Sequence, residues 1–226
     1  MSPRTRIKLR PWVIMHNTIT LDGSISGFMA DFDIHYGVIS NLNVQAYLIG
    51  SQTVLNAAED ISYTSDLQEE DTGYIEEDQK PYWVVVDSKG RLQDILHLFR
   101  KMKYIKEIIV LVSEKTPKRY IHFLKKHDYP FIRKGDDYVN FHAAFLRLKT
   151  DFNIRTLITD TGTTLNNFLI EKGLMDELSL IIAPLLLSKG EMKVFEGLQM
   201  NEKMKKLRFL GMSDEGSGYV WLRYLF

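Results

Sequence analysis

Short apolar runs alternate with amphipathic stretches along most of this chain, and their spacing predicts its elements. WVIMH (12–16) is a brief apolar run that meets TLDGS (20–24), a turn-prone segment. Residues 33–44 read as a helix that Gly37 weakens. QAYLIG (45–50) reads as a buried strand, followed by a helix starting near Ser51 with the Ser51 hydroxyl as its cap. Between 56 and 81 the periodicity is lost. The segment EEDTGYIEEDQKP is acidic and ends in proline, which fits a solvated loop.

Periodicity then returns. YWVVVD (82–87) reads as a strand and RLQDILHLFRKM (91–102) as a helix with Leu92, Ile95, Leu96 and Phe99 on one face. EIIVLV (107–112) is a strand, and a helix follows Thr116 with Pro117 in its first turn. YPFIR is a short strand, and 138–149 carries Phe141, Phe145 and Leu148 at helical spacing. RTLIT (155–159) is a strand, and 164–172 a helix that stops at Gly173. LSLIIAPLLL, KKLRFLGM and YVWLRYLF then read as strands with little helix between them. Strand–helix alternation requires parallel strands joined by right-handed crossovers, with helices on both faces. Closing strands with short connections predict an antiparallel edge. The expected fold is a single three-layer α/β domain spanning 11–226, its sheet mixed but mostly parallel, behind a flexible tail of residues 1–10.

Composition narrows the function classes. With 45% hydrophobic and 26% charged residues in 226, a normal core can form. Acidic and basic residues are balanced at 29 each, so no global field favours nucleic acid or an acidic membrane. The basic start MSPRTRIKLRPW lacks the apolar run of a signal peptide, and no stretch approaches the roughly 20 apolar residues that span a bilayer. A cytoplasmic domain is the expectation. There is no cysteine, so disulfides and thiolate metal sites are excluded. The six histidines, at 16, 35, 97, 122, 127 and 142, show no metal-ligand spacing, and no metal is expected. Neither a G-x-S-x-G elbow nor a GxxxxGK[ST] loop occurs.

In an open α/β sheet, ligands bind outside the carboxyl ends of the parallel strands. The turns there read TLDGS, GSQT (50–53), DSKG (87–90), SEKT and DTGTT (160–164). GSQT offers a glycine for close approach and a helix N-terminus for a phosphate, though a serine-capped turn would look the same. DSKG sets an acid, a hydroxyl and a lysine where a ribose or its phosphate could be read; an ordinary polar turn fits as well. DTGTT surrounds one glycine with hydroxyls before a helix, which suits a pyrophosphate, with a capped helix as the alternative. In TLDGS, Asp22 is a carboxylate that could bind an amino-substituted ring or orient a proton donor, or merely form an Asx turn.

Taken in order, these turns resemble the reductase domain of riboflavin biosynthesis, which has a dihydrofolate-reductase-like fold. The resemblance rests on TLDGSI (20–25), AYLIGSQTV (46–54), PYWVVVDSKGRL (81–92), LITDTGTTLNNFLIEKGLMDELSLIIAPLLL (157–187) and the closing YVWLRY. The segment ending GLMDEL…APLLL is the most specific of them. The resemblance implies NADPH-dependent reduction of the ribosyl group of a diaminopyrimidinone phosphate to ribityl, by a homodimer. It implies cofactor contacts from Gly50, Ser51 and Thr53 on the adenosine side, from Asp87, Ser88, Lys89 and Gly90, with Ser88 and Lys89 near the 2′-phosphate, and from Thr161, Gly162, Thr163, Thr164 and Leu165, the first four holding the pyrophosphate. Asn17, Thr20 and Asp22 would line the substrate pocket, with Asp22 or a water it holds as the proton donor. A reductase of the same fold acting on a pterin-like substrate, or a relative that binds nucleotide without turnover, are the alternatives. The family commonly has two adjacent glycines where this chain has Gly162-Thr163, or Thr161-Gly162 in the other alignment; a β-branched threonine tolerates positive φ badly, so a phosphate loop that is differently shaped or binds less tightly is expected.

Overall fold

The structure, a computed structural model, describes residues 8–63, 80–187, 191–200 and 204–226. In chain order the elements are β1 (Trp12–Thr20), α1 (Phe32–Ser40), β2 (Ala46–Gly50), α2 (Ser51–Tyr63), β3 (Tyr82–Val86) and α3 (Leu96–Arg100). Then come β4 (Ile108–Val112), α4 (Lys118–Lys126), β5 (Phe131–Arg133), α5 (Phe141–Phe152), β6 (Thr156–Thr159), α6 (Thr163–Glu171), β7 (Glu177–Ala183), β8 (Arg208–Gly216) and β9 (Tyr219–Leu225). The strands form one sheet in the order β5-β4-β3-β2-β6-β1-β7-β9-β8. Pairing is parallel from β5 through β7, and β9 lies antiparallel to both β7 and β8.

Strand side chains alternate between the two faces, and each face has its own helices. Val13, Met15, Leu48, Val84, Ile109, Leu111 and Leu157 pack under α5 and α6 through Phe141, Phe145, Leu148, Leu169 and Ile170. Ile49, Val85, Ile108 and Val110 pack on the opposite face under Val54 of α2, Leu96 and Phe99 of α3, and Tyr120, Ile121 and Leu124 of α4. Ile14 and Ile158 meet Ile39 and Leu42 at the end of α1. Phe99, Tyr120 and Phe145 are almost wholly enclosed, and burial of each large apolar side chain is worth about 1.5–3 kcal/mol. This is the three-layer, mostly parallel architecture that the alternation predicts.

Several boundaries differ from the sequence reading. α1 ends at Ser40, short of residue 44, and Asn43 adopts a left-handed φ of 48° that takes the chain towards β2. α2 runs past residue 56 to Tyr63, because Leu55, Ala57 and Ala58 pack against the core; of the expected acidic loop, 64–79 lie outside the described residues. The helix expected over 91–102 is helical only from Leu96 to Arg100. The buried Asp87 carboxylate captures the amides of Arg91 and Leu92 at 3.0 Å each, so the chain turns there before it can start a helix. The last three strands are not joined throughout by short connections. β7 and β8 are both antiparallel to β9, hence parallel to one another, and a long connection over 184–207 must cross between them. Only β8 and β9 form a tight hairpin, through Ser217 and Gly218, both at positive φ.

Of the expected tail, residues 1–7 lie outside the described residues, while Lys8 and Arg10 bind the carboxylate of Asp176. Asp176 Oδ2 accepts from Arg10 Nη1 at 2.5 Å and from the Val13 amide at 2.9 Å, and Oδ1 accepts from Arg10 Nη2 at 2.9 Å and from Lys8. The Asp176 side chain is only 2% exposed, so deleting it strands a shielded guanidinium. Asp176→Ala is therefore expected to cost about 3–5 kcal/mol of unfolding free energy in a urea titration.

Candidate active site

Because β6 lies between β2 and β1, the turns at the carboxyl ends of β3, β2, β6, β1 and β7 follow one another along a single edge. Each neighbouring pair is joined by a hydrogen bond. Arg91, just past the β3 turn, donates from Nη2 to Ser51 Oγ at 2.6 Å and from Nη1 to Gln52 Oε1 at 3.1 Å. Thr53 Oγ1 and Thr161 Oγ1 meet at 3.3 Å across β2 and β6. Asn17 of β1 donates to the Thr161 carbonyl at 3.2 Å, and Asn166 of α6 donates to Asn17 Oδ1 and to the same carbonyl at 3.0 Å each. Asn166 Oδ1 in turn accepts from Thr159 at 2.8 Å. Finally, the Leu187 amide after β7 donates to Asp22 Oδ1 at 3.1 Å.

The predicted cofactor residues divide by what their side chains do. Gly50 sits against the turn after β6, where an added Cβ would lie 3.5 Å from Thr161 Oγ1. Ser51 is the first residue of α2, and its hydroxyl meets Arg91 instead of serving as an N-cap. Gly162 caps α6 with an extended backbone and no side-chain bond, and a Cβ added there would meet nothing within 4 Å. The first amides of α6, at Thr163, Thr164 and Leu165, therefore present the positive end of the helix dipole without a built-in acceptor. Thr164 is exposed there and Leu165 half-buried. Thr163 departs from its expected strain: it is the first helical residue and has no positive φ, and its hydroxyl donates to the Lys193 carbonyl at 3.0 Å.

The turn after β3 is divided in the same way. Asp87 is buried and spent on the turn amides, so it has no free oxygen for a ribose. Gly90 has φ +66°, and a Cβ there would come within 2.8 Å of the Tyr120 ring, so its glycine answers to packing. Ser88 and Lys89 border a cleft of about 280 Å³ shared with Lys115, Pro117, Asp137 and Tyr138.

At the β1 end, Asn17 and Thr20 are buried, and both side chains are hydrogen-bonded within the protein. Asp22 Oδ1 accepts from Thr20 Oγ1 at 2.7 Å and from Leu187; Oδ2 accepts from Ser24 Oγ at 2.9 Å and from Lys193 Nζ. The Lys193 ammonium, with the Thr20 hydroxyl and the Leu187 amide, holds the Asp22 carboxyl well below the usual carboxylate range. Asp22 is thus held as an acceptor by four donors.

Histidines that carry no sequence motif complete the picture. On the α1 face, His16 Nδ1 lies 2.9 Å from Ser179 Oγ, which also accepts from Trp221 Nε1 at 2.8 Å. His16 Nε2 has no hydrogen-bond partner among the described residues. The His35 ring lies 4.6 Å from His16 between centroids, with Nδ1 at 2.8 Å from Thr18 Oγ1 and Nε2 at 3.0 Å from Asp160 Oδ2. Burial raises the Asp160 carboxyl, but the His35 hydrogen bond and the nearby imidazoles outweigh it and leave it lowered. Sequence reasoning gave His16 and His35 no role and did not single out Asp160 within DTGTT, because their relation is spatial. Arg91 had a weak signal as the basic residue beside DSKG, and Lys193 had none. No group of three or more potential metal ligands occurs among the described residues.

Comparison with known proteins places this arrangement. The family model described as the RibD C-terminal domain matches residues 11–221. The 2,5-diamino-6-ribosylamino-4(3H)-pyrimidinone 5′-phosphate reductase of Methanothermobacter thermautotrophicus is 29% identical over 184 residues, covering 79% of this chain and 80% of that protein. The riboflavin biosynthesis protein RibD of Chlamydia pneumoniae is 25% identical over 78% of this chain but only 47% of its own length. Among solved structures, Acinetobacter baumannii RibD superposes with a TM-score of 0.70 at 16% identity, over 96% of this chain and 58% of that one. The Saccharomyces cerevisiae riboflavin biosynthesis reductase Rib7 gives 0.63 at 19%, over 99% and 93%. At these identities the structural matches show the fold. Sheet order and the solved structures define an α/β fold, and the family and the Methanothermobacter relative make the class an oxidoreductase. The chain belongs to the RibD C-terminal domain family. It spans about half the length of the Chlamydia relative and somewhat more of the Acinetobacter chain. No helix among the described residues is long and apolar enough to cross a membrane.

The buried His16 gives this edge a pH signature. Burial, reinforced by repulsion from His35, pushes its imidazole down to about 3 from an ordinary 6.5. The folded protein keeps His16 neutral while the unfolded chain takes up a proton below about 6.5, so the unfolded state binds more protons in that window. Stability is therefore expected to fall as pH drops from 6.5 towards 3, with a His16 contribution approaching ~1.4 kcal/mol per pH unit. Urea melts of wild type and His16→Gln between pH 7 and 4.5 isolate it: the difference between the two proteins should narrow steadily on acidification.

Proposed function

We propose that this protein is an NADPH-dependent reductase that converts the ribosyl group of a diaminopyrimidinone phosphate to ribityl, the substrate being the one in the name of the Methanothermobacter relative. The observation that carries the reading is the continuous, cross-bonded edge from Arg91 through Ser51, Thr53 and Thr161 to Asp22. A dinucleotide is long and polar, and this edge is the polar surface of matching character. Gly162, with nothing within 4 Å of an added Cβ and uncapped helical amides behind it, fits a pyrophosphate. Ser88, Lys89 and Arg91 fit a phosphate on the adenosine ribose, since a guanidinium fork matches phosphate geometry. When bound, the reduced nicotinamide supplies the hydride. The chain itself supplies orientation and charge, with Thr20, Asp22 and Ser24 at the substrate end.

The reading of a nucleotide binder without turnover drew its support from Thr163. A helical, hydrogen-bonded Thr163 leaves that alternative without a specific observation in its favour. The partner in this reading is a second copy of the chain: β8, at the edge of the sheet, exposes Phe209, Leu210 and Met212. Equilibrium sedimentation at micromolar concentration is expected to give twice the chain mass.

NADPH at about 100 Kd should stabilise the protein by roughly 2.7 kcal/mol, read as a rise in melting temperature, and should be oxidised when the pyrimidinone substrate is added. Arg91→Gln is expected to weaken NADPH about 10- to 100-fold while changing NADH little, as loss of a charge-assisted hydrogen bond predicts. Equal weakening of both cofactors would move the 2′-phosphate away from Arg91. Absence of any shift with either cofactor would sink the reductase reading.

A further inference from the structure

Lys193 joins the two halves of the edge. Its carbonyl receives the Thr163 hydroxyl at the start of α6, and its ammonium binds Asp22 Oδ2 and Ser24 Oγ, the latter at 2.8 Å. Backbone pairing holds the residue in place. Ser24 forms an antiparallel bridge with Lys193, and the Val194 amide donates to the Gly23 carbonyl at 2.9 Å. Neighbouring Met192 accepts from the Ile25 amide at 2.9 Å. The side chain is 43% exposed and its Asp22 partner 22%, so the ammonium sits at the boundary between the turn and solvent.

The proton inventory at this end of the edge is short. Asp22 is ionised and saturated with donors. The hydroxyls of Thr20 and Ser24 both donate into Asp22. The ammonium of Lys193 has three N–H bonds, of which Asp22 and Ser24 occupy two among the described residues. Among the described residues it is the group beside this turn with a transferable proton left over.

We infer that Lys193 donates the proton that completes the reduction, with Asp22 and Ser24 aiming it. This rests on the reductase reading above. In that reaction a hydride joins C1′ of the ribosyl group as the C1′–O4′ bond breaks, and the electron pair left on O4′ takes one proton to become the ribityl hydroxyl. Lys193 Nζ supplies that proton, leaving a neutral amine beside the Asp22 carboxylate, and solvent on its exposed side returns a proton.

Replacement by arginine separates this role from simple charge pairing. Arginine can keep the ion pair to Asp22 but does not give up its proton near neutral pH. K193R and K193M are each expected to lose about 100-fold or more in kcat, in line with removal of a general acid, while 2′,5′-ADP raises their melting temperatures as it does for wild type. Independently of turnover, calorimetry with ribose 5-phosphate as the probe should show about tenfold weaker binding to K193M than to wild type. K193R turnover within about threefold of wild type would reduce Lys193 to a structural ion pair and overturn the proposal, as would unchanged ribose 5-phosphate binding in K193M. A wild-type protein that binds the probe yet never oxidises NADPH with the pyrimidinone overturns the reductase reading and the proton role together. A wild type that turns over normally beside an active K193R removes only the latter.

Discussion

The position of β6 between β1 and β2 is the constraint on which the rest of this molecule depends. β1 and β2 are the first two strands in the chain, yet in the sheet they are separated by a strand that arrives more than a hundred residues later. The parallel register of Val13 with Leu157 and of Ala46 with the same residue welds the beginning of the chain to its later half. That insertion puts the turn after β6 next to the turns after both β2 and β1. Without it, Thr53 and Thr161 would not meet, and Asn17 would have no carbonyl to hold.

Polar groups then fix the edge that the strands bring together. The amide of Asn166, buried between Thr159, Thr161 and Asn17, holds the 160s turn from inside. A buried amide left without partners costs on the order of 1–3 kcal/mol, so the turn is held in the arrangement that satisfies all three contacts. With the inside occupied, Gly162 and the first amides of α6 are left facing outward. The same division recurs at the turn after β3, where Asp87 works inward on amides and Lys89 and Arg91 remain outside. It recurs again at β1, where Asp22 organises the turn and turns Lys193 into a fixed cation. At each turn one polar residue holds the backbone while another is left facing outward.

How much of this was legible depended on the range of the signal. Continuous apolar strands such as Ile108–Val112 and the helix carrying Phe141, Phe145 and Leu148 showed in local pattern, because an apolar run and a helical spacing are written within a few residues. The turns were equally legible as polar and glycine-rich, and their order along one edge followed from parallel topology. The helix expected over 91–102 was misjudged for a tertiary reason: Leu92, Ile95, Leu96 and Phe99 do face the core, but Asp87 diverts the amides that would begin a longer helix. Thr163 was misjudged because a strained loop was assumed where the chain simply enters α6.

By itself, the sequence determined an α/β domain of alternating elements, the location of the polar turns along its carboxyl edge, and membership in a reductase family, since all three are carried by periodicity and short motifs in order. Tertiary structure decided which residues in those turns are spent and which are free. Asp22 lies 171 positions from Lys193, His35 lies 125 from Asp160, and Asn17 lies 149 from Asn166. Protonation state, hydrogen-bond saturation and exposure arise from such long-range contacts. They come into being only when the sheet has closed around β6.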